Sequence, residues 1–176
     1  LAVGAVPERE SPADVLISRD GARLAELASG SLIGTSSLRR AAQLRHARPD
    51  LRIVPLRGNL DTRLRKLETE GLAAVVLAAA GIRRLGLEKR ITEILDPAVM
   101  LPAVGQGALC LEARQDDTEL AALLAPLEDP ATRQAVTAER DYLATHRDRC
   151  RPVHQFLFHQ PRVSSESGLC QRDGGQ

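Results

Sequence analysis

The chain has 176 residues, 43% of them apolar but only 2% aromatic, so a core has to be built from Leu, Val, Ile and Ala. Basic and acidic residues nearly cancel, 24 against 23, and a net charge of +1 argues against a nucleic-acid protein held by bulk charge. Three cysteines without CxxC spacing argue against a zinc centre or a disulfide scaffold, and no apolar run approaches the ~20 residues a membrane-spanning helix needs.

The length suits one domain or two small ones. The opening Leu1-Ala-Val-Gly has neither an initiator Met nor the basic start of a signal peptide, and reads like the interior of a longer protein in a reducing, cytoplasmic setting. Asp14–Ser18 (DVLIS) is strand-like, followed by a turn at Asp20-Gly21 and a short helix through Leu24, Leu27 and Ala28. Ser31–Thr35 reads as a buried strand. Ser36 and Ser37 then offer capping hydroxyls to a helix through Leu38, Ala41, Leu44 and His46, which Pro49-Asp50 ends. Arg52–Leu56 is the next strand and Gly58-Asn59 the next turn. Leu60, Leu64 and Leu67 then repeat at i, i+4, i+7 along a second helix. Ala73–Ala79 is a continuous apolar strand of the kind covered on both faces.

Strand, helix, strand, helix, strand in one short stretch predicts a parallel sheet with right-handed crossovers and a ligand beyond the carboxyl ends of the strands. The expected class is therefore α/β, a mixed or parallel sheet with flanking helices. Leu101–Gly107 (LPAVGQG) is a Pro/Gly-rich crossing segment, and Ala108–Ala113 is a further strand that buries Cys110 as a small hydrophobe. Helices are expected over Thr118–Leu127 and Thr132–Thr145. From Arg147 to Gln176 there is no Ala, Ile or Lys, and this tail does not read as part of the same packing.

Arginine at strand–helix junctions dominates the chemistry. Arg39 and Arg40 follow Thr35-Ser36-Ser37, Arg57 closes a strand, Arg63 lies one turn into the next helix, and Arg83 and Arg84 follow Ala79-Ala80-Gly81. If the sheet is parallel, these side chains converge on one cleft. A charge-assisted hydrogen bond contributes roughly 1.5–3 kcal/mol, so several could hold a polycarboxylate against water. Three readings of such a cleft stay open: a transferase, a non-catalytic carboxylate- or phosphate-binding module, and an arginine face for RNA or DNA. The third is weakened by the near absence of stacking aromatics. Asp50 and Asp61 read as turn and cap residues. His46, His146, His154 and His159 lack metal-ligand company, and no metal site is expected.

Ile33–Leu67 (IGTSSLRRAAQLRHARPDLRIVPLRGNLDTRLRKL), Val75–Leu87 (VVLAAAGIRRLGL) and Leu101–Leu109 (LPAVGQGAL) closely resemble the second domain of porphobilinogen deaminases, the hydroxymethylbilane synthases. Val6–Ser18 is similar to the segment entering that domain, and the resemblance runs nearly without gaps from Leu1 to Arg140. It implies a fold like that of periplasmic binding proteins. It also implies a transferase that condenses porphobilinogen head to tail with loss of ammonia in tetrapyrrole biosynthesis, acting as a cytoplasmic monomer without nucleic-acid or membrane partners. The chain grows on a dipyrromethane cofactor tethered to a cysteine. By matching motif, Ser37, Arg39, Arg40, Arg57, Arg63 and Arg84 would bind pyrrole carboxylates. Cys150, at the expected distance beyond Thr137-Ala138-Glu139-Arg140, would be the anchor, although its flanks lack the family's paired glycines and Gln-x-Pro. The competing reading is a tail foreign to the family. The family's catalytic aspartate lies in a first-domain segment not found in this sequence, so no catalytic residue is assigned and a weakly active or inactive form is expected. The resemblance divides the chain into an entering segment (1–12), the substrate and cofactor domain (13–100), a crossover (101–129), the start of a third domain (130–150) and an atypical tail (151–176).

Overall fold

Three strands joined by two ten-residue helices lie parallel, because a parallel pair needs a crossover connection. In chain order these elements are β3 (Leu32–Gly34), α1 (Leu38–Ala47), β4 (Arg52–Val54), α2 (Leu60–Thr69) and β5 (Ala74–Ala78). In this computed structural model, which describes residues 1–146, they form most of a five-stranded sheet of order β4-β3-β5-β2-β6. β2 (Asp14–Ser18) runs antiparallel to β5, pairing Asp14 with Ala78 and Ser18 with Ala74; β6 (Glu93–Ile94) adds a short antiparallel edge. The α/β class with a mixed sheet is as expected. A separate two-stranded antiparallel sheet pairs β1 (Ala2–Ala5) with β7 (Leu111–Ala113). Helices α3 (Ala79–Arg84), α4 (Thr118–Leu124) and α5 (Pro130–His146) complete the elements described.

β5 shows why its sequence is apolar throughout. Val75 and Leu77 join Ile17, Leu64, Leu67 and Ile82 on one face of the sheet, while Ala74 and Val76 join Leu16, Ile33, Leu44 and Met100 on the other. Alternate side chains of one strand thus enter two cores, one against α2 and α3, the other against α1. The helices begin where their caps predict: Ser37 accepts from the Arg40 N–H, and Asn59 from the Thr62 N–H at 2.9 Å.

Four expectations are corrected. Leu24 and Leu27 are buried, but their segment is a series of turns rather than a helix. Its carbonyls are taken by a side chain: Arg48 Nη1 donates to Leu24 O (2.6 Å) and Nη2 to Leu27 O (2.7 Å), with Asp50 holding the guanidinium. The apolar run ending in Ala79-Ala80-Gly81 turns directly into α3. The strand expected over Ala108–Ala113 shortens to β7, so Cys110 precedes it and is exposed. Finally, α5 starts at Pro130, whose missing N–H costs nothing in a first turn, with Asp129 accepting from the Thr132 N–H.

Residues 1–144 make one compact unit; the other comprises Thr145–Gln176. The tail expected at 151–176, with Cys150, Cys170, His154 and His159, lies outside the described residues.

Candidate carboxylate-binding site

Parallel strands β3, β4 and β5 end on the same rim of the sheet, and the antiparallel β2 begins there. The rim therefore collects the start of α1, the turn between β4 and α2, the start of α3, and Asp14. This is the topology by which open α/β sheets build ligand sites.

Asp14 is the centre of the arrangement and was missed from the sequence. It is fully buried. Arg40 Nε donates to its Oδ1 at 2.9 Å with Nη2 at 2.7 Å, and Arg39 Nη1 lies 2.7 Å from Oδ2. That last contact lacks hydrogen-bond alignment, so Oδ2 is an acceptor without a donor. Gln106, from the crossing segment, knits the cluster together. Its Nε2 donates to Asp14 Oδ1 (2.9 Å) and to Pro12 O, while its Oε1 accepts from Arg39 Nη2 (3.2 Å) and Arg40 Nη2 (3.4 Å). Arg40 is itself buried and also reaches Val76 O at 3.4 Å. Burial lowers its pKa, and the neighbouring Arg39 and Arg63 guanidiniums push the same way, while Asp14 opposes. Two guanidiniums and one carboxylate leave one net positive charge in this cluster.

The other expected residues divide by what they touch. Arg63 donates from Nε to Gly58 O (2.8 Å) and Arg84 from Nη2 to Gly107 O (2.7 Å), so both also bind main chain. Arg83 pairs with Glu10 at 2.8 Å and holds that carboxyl below its ordinary range, the Ser11 N–H being the larger cause. Ser37 and Arg57 line a separate cavity of about 300 Å³, whose wall also includes Arg45 and the apolar Leu38, Ile53 and Pro55. The structure thus brings Arg39 and Arg40 together around Asp14, and Ser37 and Arg57 around the cavity. Arg63 and Arg84 stand at the same rim on contacts of their own. Cys150 lies outside the described residues.

The crossing segment is pinned from three sides. Arg39 Nη1 donates to Leu101 O, and Gln43 Oε1 accepts from the Leu101 N–H at 2.8 Å. Glu139 of α5 accepts from the Gly105 N–H (2.7 Å) and from Arg9, and Arg9 is the main reason its carboxyl titrates below the usual range. Gly107 has φ +88°, and a Cβ there would lie 2.3 Å from Glu10 O, so the two backbones touch as only glycine permits. Among the described residues no group of three or more His, Cys, Asp or Glu is placed to hold a metal, and no helix is long and apolar enough to cross a membrane.

Residues 1–122 match the family described as porphobilinogen deaminase, dipyrromethane cofactor binding domain. The porphobilinogen deaminase of Roseiflexus castenholzii is 55% identical over 151 residues, covering 86% of this chain and 50% of that protein. That of Syntrophus aciditrophicus is 57% identical over 170 residues, 96% of this chain and 56% of its own. For the Desulforudis audaxviator enzyme the figures are 49% over 176 residues, 99% and 57%, an alignment that runs into the residues after 147. The chain spans about half the length of the curated relatives it matches. A solved periplasmic binding protein of Salmonella typhimurium aligns over 89% of this chain and 61% of its own at 17% identity and a TM-score of 0.42. That likeness is too slight to carry the fold, which stands on the strand pairing.

Proposed function

We propose, since this chain belongs to the porphobilinogen deaminase family, that it supplies the carboxylate-recognition part of a hydroxymethylbilane synthase. The reaction condenses porphobilinogen units head to tail and releases ammonia, in the cytoplasm, within a monomer. The domain division at 12, 100, 129 and 150 is part of the same proposal. One observation carries the reading: three parallel strand ends deliver hydroxyls and guanidiniums to a single rim. Every pyrrole of substrate and product bears an acetate and a propionate, so the growing chain needs several cationic partners held in fixed geometry.

The donor set fits such a ligand. Ser37 and Arg57 face open space in a cavity with an apolar wall, suited to carboxylates at the edge of a flat ring. Arg39 keeps part of its guanidinium accessible, its side chain being 25% exposed. Arg40 is saturated by Asp14, Gln106 and Val76, and its contribution is to fix its neighbour and to lend charge. Arg63 and Arg84 extend the positive rim. The dipyrromethane cofactor, when bound, supplies the pyrrole end to which the first substrate is joined, and Cys150 is the proposed anchor. What these residues do is orient carboxylates, and no proton transfer is assigned to any of them.

Intact mass followed by peptide mapping tests the anchor. A dipyrromethane adduct on Cys150 is the expected result, and an unmodified thiol in protein produced alongside active tetrapyrrole synthesis overturns it. Titration calorimetry with porphobilinogen tests recognition. Binding that weakens in Arg57→Gln supports the reading, and binding without turnover is expected of this chain alone. Failure of porphobilinogen to bind removes the proposal.

A further inference from the structure

Arg45 lies in the Ile33–Leu67 stretch without an assigned role, yet it shares the open cavity with Ser37 and Arg57. It lies in the last turn of α1. Neither Arg45 nor Arg57 has a hydrogen-bond or ion-pair partner among the described residues, whereas Arg39, Arg40, Arg63 and Arg84 all donate to groups of the protein. Both guanidiniums line one cavity of about 300 Å³. Between them runs an apolar wall from Leu38, Ile53 and Pro55. The arrangement suits a flat apolar body that carries carboxylates on its edges, one for each fork.

We propose that Arg45 is a specificity residue: with Arg57 it makes a two-point carboxylate clamp, so that the cavity selects pyrroles bearing two acidic side chains over those bearing one. This rests on the carboxylate-recognition reading above and extends it to a residue of the Ile33–Leu67 stretch to which the resemblance assigns no role. Arg45 acts by direct contact with the ligand, because it lines the open cavity itself. A monoacid could engage Arg57 alone and would gain nothing from Arg45.

The test is titration calorimetry of the 176-residue chain with two probes, porphobilinogen and a pyrrole of the same size whose propionate is a methyl ester. Arg45→Gln should raise Kd for porphobilinogen about fivefold, the loss expected of one solvent-exposed ion pair, and leave the ester unchanged. Arg57→Gln should weaken both probes. Arg65→Gln, the same charge change on the exposed side of α2, controls for bulk charge and should move neither. Equal effects of Arg45→Gln and Arg65→Gln would overturn the clamp in favour of general electrostatics. No effect of Arg45→Gln beside a clear effect of Arg57→Gln would overturn the clamp and leave carboxylate recognition standing. Porphobilinogen that fails to bind the unmodified chain would overturn both.

Discussion

The arginines on and beside α1 fall into two populations that differ in what they touch. Around Asp14, Arg39 and Arg40 meet a buried carboxylate and the Gln106 amide; across α1, Arg45 and Arg57 meet only a cavity. The first group is charge turned inward, where its worth is structural and its loss is felt by folding. The second is charge turned outward, with no side-chain partner among the described residues. A guanidinium count at strand ends therefore overstates the binding capacity of a site until the internal counter-ions have been found.

Substitutions can break this contrast, and the largest effect belongs to Asp14. Asp14→Ala leaves Arg40 buried without its counter-ion and should cost about 3–5 kcal/mol, read from chemical denaturation. A loss below about 1 kcal/mol would mean that the buried arginine finds other partners and that the inward group is not locked. Gln106→Ala removes the bridge but leaves Arg40 paired with Asp14, so a smaller cost of about 1–3 kcal/mol is expected. It should also free the crossing segment, seen as faster amide exchange at Gly105 and Gln106.

Acid sharpens the same contrast on the carboxylate side. Arg9 holds the Glu139 carboxyl below its ordinary range, and Arg133 does the same for Glu128. Because the folded-state values are depressed, their stabilisation is fully present above the unfolded pKa and is lost as pH falls through the folded value. The thermal midpoint should therefore decline as pH falls below about 5, and Glu139→Gln should flatten part of that decline. Smallest in stability is Arg57→Gln: within about 0.5 kcal/mol of the parent, as for exposed positions generally, while porphobilinogen binding weakens.

Much of the five-stranded sheet was legible because its signals are local. Val15 to Ile17 and Val75 to Leu77 are unmistakable apolar strands, and Ser37 and Asn59 announce their helices by capping. The start of α3 was not legible. Its N-cap is Ala78, which offers no side-chain hydrogen bond, and one apolar run crosses the boundary between strand and helix. β6 has two residues, too few for any period. In the site, the hydroxyl and arginine positions could be read from their spacing, but the division of labour among them could not. Asp14 looks like the polar end of a strand, and its burial depends on arginines 25 and 26 positions away in sequence. Gln106 sat in a recognised motif with no stated task, because the atoms it bridges come from two segments distant in sequence.

The contact of Gly107 with Glu10 has a consequence for the gene. A methyl group at that α-carbon would have to occupy the place of the Glu10 carbonyl oxygen. No missense change of a glycine codon yields a residue without a Cβ, so this position offers inheritance only two outcomes, silence or damage. Natural variation should pass around it, and a saturation library should return a single amino acid there.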